Sequence, residues 1–193
     1  HTTRSMVDQT FKLDINWQAN HTHSIKTGLH YFNHELKNEW YDIRNEFYNS
    51  GSDSIYAPQI FGDSSAYADV YSISPKEVAF YIQDKMEFDD MVINVGLRYD
   101  QFDPESVYPS DRRNPANQLI LPDSMMSLYP GAPVISQISP RVGFAYQLGG
   151  QAVLHFSYGH FFQMPPMYAM YENNSFLVDP NNFVTRNLKV LIR

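Results

Sequence analysis

Thr10–Ala19 reads TFKLDINWQA and Met91–Asp100 reads MVINVGLRYD. In the first stretch Phe11, Leu13, Ile15, Trp17 and Ala19 alternate with Lys12, Asp14, Asn16 and Gln18. The second sets Met91, Ile93, Val95, Leu97 and Tyr99 against Asn94, Gly96, Arg98 and Asp100. A period of two is a strand signature, because successive side chains point to opposite faces. Strands of about ten residues with one apolar and one charged face suit a wall between lipid and a wet lumen.

Four further segments repeat the pattern less cleanly. After Ser24, Ile25, Leu29 and Tyr31 oppose Lys26, Gly28, His30 and Phe32. Between Glu77 and Phe88, Val78, Phe80, Ile82, Met86 and Phe88 share a face that Asp84 interrupts, opposite Tyr81, Gln83, Lys85 and Glu87. Val142, Phe144, Tyr146 and Leu148 oppose Arg141, Gly143, Ala145 and Gln147, and Leu154, Phe156 and Tyr158 oppose His155, Ser157 and Gly159. Strands are therefore expected near 10–19, 24–32, 77–88, 91–100, 138–148 and 151–162. Asn20–His23, Asp89-Asp90 and Gly149-Gly150 are the short turns. The Gly pair is a strong hairpin signal, whereas Asp89-Asp90 lacks the preferred Gly and reads as a turn a residue or two longer. Polar stretches at 33–76, 101–137 and 163–193 read as long loops, and Pro165-Pro166 ends regular pairing.

Connections thus run short, long, short, long. In an up-and-down sheet this puts every short turn at one end and every long loop at the other. Outer-membrane barrels sort their periplasmic turns and extracellular loops this way, and soluble sandwiches have no reason to. The expected fold is all-β: an antiparallel up-and-down meander of about six strands, part of a larger transmembrane β-barrel. Six strands are fewer than the eight of the smallest such barrels, so an open, curved sheet with the first and sixth strands as edges is expected.

Composition bounds the partners. The 193 residues carry a formal charge of −7, which excludes a basic stripe for nucleic acid. No stretch approaches the roughly 18 apolar residues of a membrane-spanning helix, but barrel strands alternate and their hydropathy averages away. Aromatic residues make up 15%, with 14 Tyr and 13 Phe against 2 Trp, which suits strands and the girdles of membrane barrels. With no Cys there is no disulfide and no thiolate metal site. His1 is not a native start and no signal peptide is visible, so the chain reads as a fragment of a longer protein.

The segments AFYIQDKMEFDDMVINVGLRYD (Ala79–Asp100) and ISPRVGFAYQLGGQAVLHFSYGHFFQMPP (Ile138–Pro166) resemble successive hairpins of a TonB-dependent outer-membrane receptor. Gly28–Asp42, GLHYFNHELKNEWYD, fits as an earlier strand entering its extracellular loop. The resemblance covers most of the chain. It implies a 22-stranded barrel enclosing an N-terminal plug domain, preceded by a segment that contacts TonB. Residues 1–193 match only part of that barrel, with the plug, the TonB-contacting segment and a terminal aromatic absent. It further implies uptake of a scarce nutrient, such as a siderophore–iron complex, cobalamin, a glycan or a peptide, powered through TonB by the parent protein. The implied partners are outer-membrane lipid, the plug, TonB and the nutrient, in the bacterial outer membrane.

Candidate sites follow from where the residues fall. Arg98, Arg141, Lys85 and Glu87 would line the lumen as partners for a plug, or else as a solvated wall. Trp40, Tyr41, Tyr48, Tyr56, Phe61, Tyr67, Tyr129 and Tyr168, with Tyr71 and Tyr171, would sit at the extracellular rim, as girdle residues or ligand contacts. His30 and His34 lie about 13 Å apart on one strand and read as polar lining, and no His has metal-ligand spacing. No GxSxG, HExxH or P-loop is present, so no catalytic residue and no cofactor is expected. Two alternatives are a soluble β-rich binding module, which needs the apolar faces to pack on each other, and an outer-membrane enzyme on a smaller barrel, which needs a catalytic constellation on the rim.

Overall fold

A computed structural model describes residues 1–47, 56–63, 65, 67–108, 110 and 128–171. Its strands are β1 (Thr2–Gln18), β2 (His23–Tyr41), β3 (Ile43–Asn45), β4 (Pro58–Ile60), β5 (Ala68–Ile73), β6 (Lys76–Glu87), β7 (Met91–Asp103), β8 (Ile135–Leu148) and β9 (Ala152–Gly159). A single helical turn, α1, spans Met167–Met170. No helix among the described residues is long and apolar enough to cross a membrane. The main sheet is antiparallel in the order β1-β2-β6-β7-β8-β9, with β5 also on β2, and β3 pairs with β4 separately. This is the expected meander. The sheet does not close on itself, and β1 and β9 are its edges.

Three tight turns gather at one end. Asn20 Oδ1 accepts from the Thr22 and His23 amides at 2.8 and 2.9 Å, which fixes the β1–β2 turn. Asp89-Asp90 makes a loop of only two residues, closed by Phe88 N donating to Met91 O at 2.8 Å. It is shorter than the sequence suggests. Neither Asp has positive φ, so the turn does not use the backbone that favours glycine. Gly149 does, at φ 54°, in the β8–β9 turn.

The strands run longer than their apolar alternation. β1 has 17 residues and β2 has 19, so β1 alone extends about 56 Å, roughly twice a barrel's apolar band. Much of what is described in the loop expected at 33–76 is strand: β2 continues to Tyr41, and β3, β4 and β5 follow. β5 and β6 keep one register on β2, from Tyr41↔Ala68 to His23↔Met86. They are one strand interrupted at Ser74-Pro75, because proline cannot donate to the ladder. The Pro75 carbonyl still accepts from His34 N at 3.0 Å, which holds the interruption in line. At the edges of the loops expected at 101–137 and 163–193, β7 reaches Asp103, β8 starts at Ile135 and α1 occupies 167–170.

Register sorts the side chains across all six strands. The row Ile15↔Thr27↔Ile82↔Leu97↔Pro140 lies on one face, with Leu13↔Leu29↔Phe80↔Tyr99↔Ile138 beside it. The neighbouring row Asp14↔Gly28↔Tyr81↔Arg98↔Ser139 lies on the other. Among the described residues no layer covers the apolar face: Trp17, Leu97, Ile138 and Phe156 are 61%, 52%, 64% and 60% exposed. Most of the burial in the sheet sits instead on the polar face toward the long loops, at His34, Leu36, Asn38, Ala79, Asp100, Phe102 and Ser139, while Ala68 of β5 is buried on the other side beside Tyr41.

Candidate functional site

The apolar face forms a band with two limits. On β1 it runs from Trp17 to Phe11, and on β7 from Met91 to Tyr99. Gln9, Asn33, Lys76 and Gln101 then replace apolar residues on the same face. Along β7 the band measures about 27 Å, close to the apolar height of a membrane barrel once strand tilt is allowed for. Phe11, Tyr31 and Tyr99 stand at its upper limit, and the Tyr99 hydroxyl donates to Gln101 Oε1 at 3.2 Å. Asp84, the one carboxylate within the band on β6, lies near its turn end with Oδ2 2.7 Å from His23 Nδ1. That pairing meets one of its oxygens, while Oδ1 is buried without a hydrogen-bond partner.

The polar face is organised by cross-strand networks centred on β2. His34 Nδ1 lies 2.7 Å from Asp8 Oδ1, and its Nε2 is 3.5 Å from Glu77 Oε1 without a hydrogen bond. His30 Nε2 lies 3.2 Å from Asp14 Oδ1. The Tyr81 hydroxyl reaches the same oxygen at 2.7 Å from β6, two strands away. It can do so because Gly28 stands between them and leaves room for the ring. Both histidines thus bind β1 carboxylates, and Tyr81 extends the Asp14 network to β6, so three strands are tied together. Among the described residues no group of three His, Asp or Glu is arranged to hold a metal ion.

The four lumen candidates share this face. Arg98 Nε donates to both Asp100 oxygens, at 2.8 and 3.1 Å, so its charge is largely met within β7. Lys85 pairs with Glu87 in the same way. Arg141 has an aromatic partner instead, its guanidinium 5.1 Å from the Phe161 ring centroid. Around Arg141 the face is lined by Gly96, Gly143 and Gly159, so that patch has little side-chain relief of its own.

The rim candidates divide into two groups. Beyond β2, Phe61 and Tyr67 have ring centroids 5.0 Å apart, and Arg44 lies 4.1 Å from the Tyr67 centroid. Beside them the Tyr41 hydroxyl donates to Asp63 Oδ1 at 2.8 Å, and that bond raises the phenol's pKa. The second group lies on the polar face, where Tyr168 stacks 5.8 Å from the Arg4 guanidinium and Tyr71 lies 6.4 Å from Tyr171. Trp40 is on the polar face near the end of β2. Tyr56 is 78% exposed. Burial raises the Tyr129 pKa. Tyr48 lies outside the described residues. Arg4, Arg44, Asp8, Asp63 and Glu77 were not legible as site residues, because each gains its place only through a partner distant in sequence.

Tyr171 is the most buried aromatic of the rim, and its hydroxyl donates to Pro104 O at 2.8 Å. Burial, then the carboxylates of Asp103, Glu105 and Glu77 with Tyr71, push its pKa well above the usual phenol value. The sign is that of a raised folded value: the stabilisation is whole below about pH 10 and is lost as pH rises above it. A tyrosinate absorbance titration of the parent minus Tyr171→Phe should show the missing phenol ionising later than an exposed one. A difference curve centred at the ordinary phenol value would contradict the burial.

A six-stranded antiparallel meander with one unpartnered apolar face and one hydrogen-bonded polar face defines a section of β-barrel wall. The family model described as TonB dependent receptor-like, beta-barrel, matches residues 2–189, and the chain belongs to that family. No curated protein and no solved structure matches the chain.

Proposed function

We propose that this sheet is part of the wall of a TonB-dependent receptor in the bacterial outer membrane, which imports a scarce nutrient with energy transduced by TonB. The observation that carries the reading is the sorting of faces. Every strand of the meander presents apolar side chains to the same side, where Trp17, Leu97, Ile138 and Phe156 are each more than half exposed, whereas soluble monomers rarely expose large contiguous apolar patches. Lipid accounts for that face, and water in a lumen accounts for the other. A soluble binding module would need a second layer on the apolar face. Among the described residues, the strand-free segment that does pack on the sheet, 160–171, lies on the polar face instead.

Gly96 and Gly143 keep the polar face low beside the Phe161–Arg141 contact, which leaves space for a plug domain there, and Arg98, Lys85 and Glu87, with Arg141 once Phe161 lifts, offer it polar contacts. Such contacts can break and re-form in water, which suits a plug that must be held yet shift. The Phe61–Tyr67–Arg44 group and the Tyr168–Arg4 pair are the ligand-contact candidates, combining apolar area with polar edges. The nutrient class is one of four: siderophore–iron, cobalamin, glycan or peptide.

Deleting the gene of the whole receptor should impair growth when one of these classes is limiting, and loss of TonB should produce the same defect. Uptake that continues unchanged without TonB would overturn the energised-receptor reading and leave a passive pore.

A further inference from the structure

We propose that His160–Tyr171 is a latch folded back onto the polar face, held shut by Tyr171 in a catch built at the end of β7. The seating of the latch stands on contacts alone. That it narrows the mouth of a lumen rests on the proposed function.

Its path is set by contacts with strands on both sides of the sheet. His160 N donates to Pro140 O at 3.1 Å, the last rung beside β8. Phe161 then turns onto the polar face and packs on Arg141 and Gly159. Seven residues later Tyr168 meets Arg4, near the far end of β1. The segment therefore rises diagonally from mid-sheet on the β8 side to the long-loop end of the opposite edge. Pro165-Pro166 stiffens the middle of this path, and Ala169 N donating to Pro166 O at 2.9 Å closes the helical turn that points Tyr171 at the sheet.

The catch is the most constrained part of the long-loop end. Tyr171, 3% exposed, places its hydroxyl on the Pro104 carbonyl. The next residue, Glu105, has φ 43°, the one positive φ at a non-glycine among the described residues. Two contacts hold it there: an ion pair from Lys76 on β6, and Glu105 N donating to Asp103 Oδ1 at 3.0 Å. A left-handed backbone at a glutamate persists only where its surroundings enforce it. Here they aim the carbonyl of Pro104 at the incoming phenol. By contrast, the other anchors, Phe161 and Tyr168, are exposed rings stacked on arginines, and such contacts are individually weak. A few weak anchors and one buried catch make a segment that can lift as a unit.

The test uses the full-length receptor with a thiol at Ala169→Cys, a half-buried position on the latch; residues 1–193 hold no Cys, and any cysteine elsewhere in the receptor is replaced by serine. A bulky maleimide should label it slowly. Tyr171→Phe, which removes one hydrogen bond, should speed labelling by about 2- to 10-fold. Tyr171→Ala, which also removes the ring, should speed it by about 30-fold or more. A second thiol at His21→Cys, in the opposite turn, should label equally in all backgrounds and reports an intact sheet. Equal rates at Ala169→Cys in all three proteins, or an unshielded rate in the parent, overturns the latch. Labelling is read on purified protein, in detergent or in water, so it fails or succeeds independently of TonB and of the membrane.

Discussion

An arginine at Ile82 or Leu97 is expected to destabilise the membrane-inserted receptor by about 2–4 kcal/mol, and an arginine at Gln83 by less than about 1 kcal/mol. Ile82 and Leu97 are partners in register at mid-band on the apolar face, and both are exposed. Gln83 is one residue from Ile82 and projects from the other side of the sheet. The two sites share strand, depth and backbone, so the difference isolates the solvent each face meets. In lipid, a guanidinium at mid-depth must thin the bilayer or snorkel, whereas in a wet lumen it remains hydrated. Denaturant titration of receptor refolded into lipid vesicles measures both. If Gln83→Arg costs as much as Ile82→Arg, the two faces have no difference in solvent and the barrel reading fails.

Replacing Gly28 by valine should cost about 1–3 kcal/mol, although the site lies on the polar face of the sheet. A Cβ at Gly28 would run into the Asp14 carboxylate, approach Tyr81 Cε1 at 2.5 Å and meet the Leu13 carbonyl at 2.9 Å. The carboxylate could swing away. The backbone carbonyl of the adjacent strand cannot, and moving the Tyr81 ring breaks its bond to Asp14. The matched control is Gly143→Ala on the same face of β8, where the nearest atom lies 3.5 Å from the new Cβ. Heat-modified electrophoretic mobility should show an earlier transition for Gly28→Val and none for Gly143→Ala. Equal behaviour would mean that the Tyr81–Asp14 reach across β2 contributes nothing to the wall.

Alternation reveals a strand only where its two faces meet different solvents. That is why TFKLDINWQA and MVINVGLRYD were plain, and why residues 33–41 were not. On β2 above the apolar band, Glu35, Lys37 and Glu39 stand on the same side as Tyr31, so polarity no longer marks the face although the ladder continues to Tyr41. Leu36 is buried there, but on the polar side, which reverses the expected phase. The same blindness hid Asp8, since β1 was expected to begin at Thr10, and with it the partner of His34. Faces, strand order and the gathering of the tight turns could all be read from period and turn length. Cross-strand partners such as Asp14 and Tyr81, or Tyr171 and Pro104, depend on register and on a returning loop, which no local pattern encodes.

The central claim is that the apolar face of this sheet meets lipid and the other meets water. Spin labels placed one at a time along β7, from Met91 to Asp103, in the whole receptor in bilayers test it most directly. Collision with lipid-soluble oxygen should peak at Met91, Ile93, Val95, Leu97 and Tyr99 and fall at Gln101, where the apolar row ends. Collision with a water-soluble nickel chelate should be low throughout that odd series and rise at Gln101 and Asp103. Odd positions shielded from both reagents would place a second protein layer over the apolar face and contradict the account.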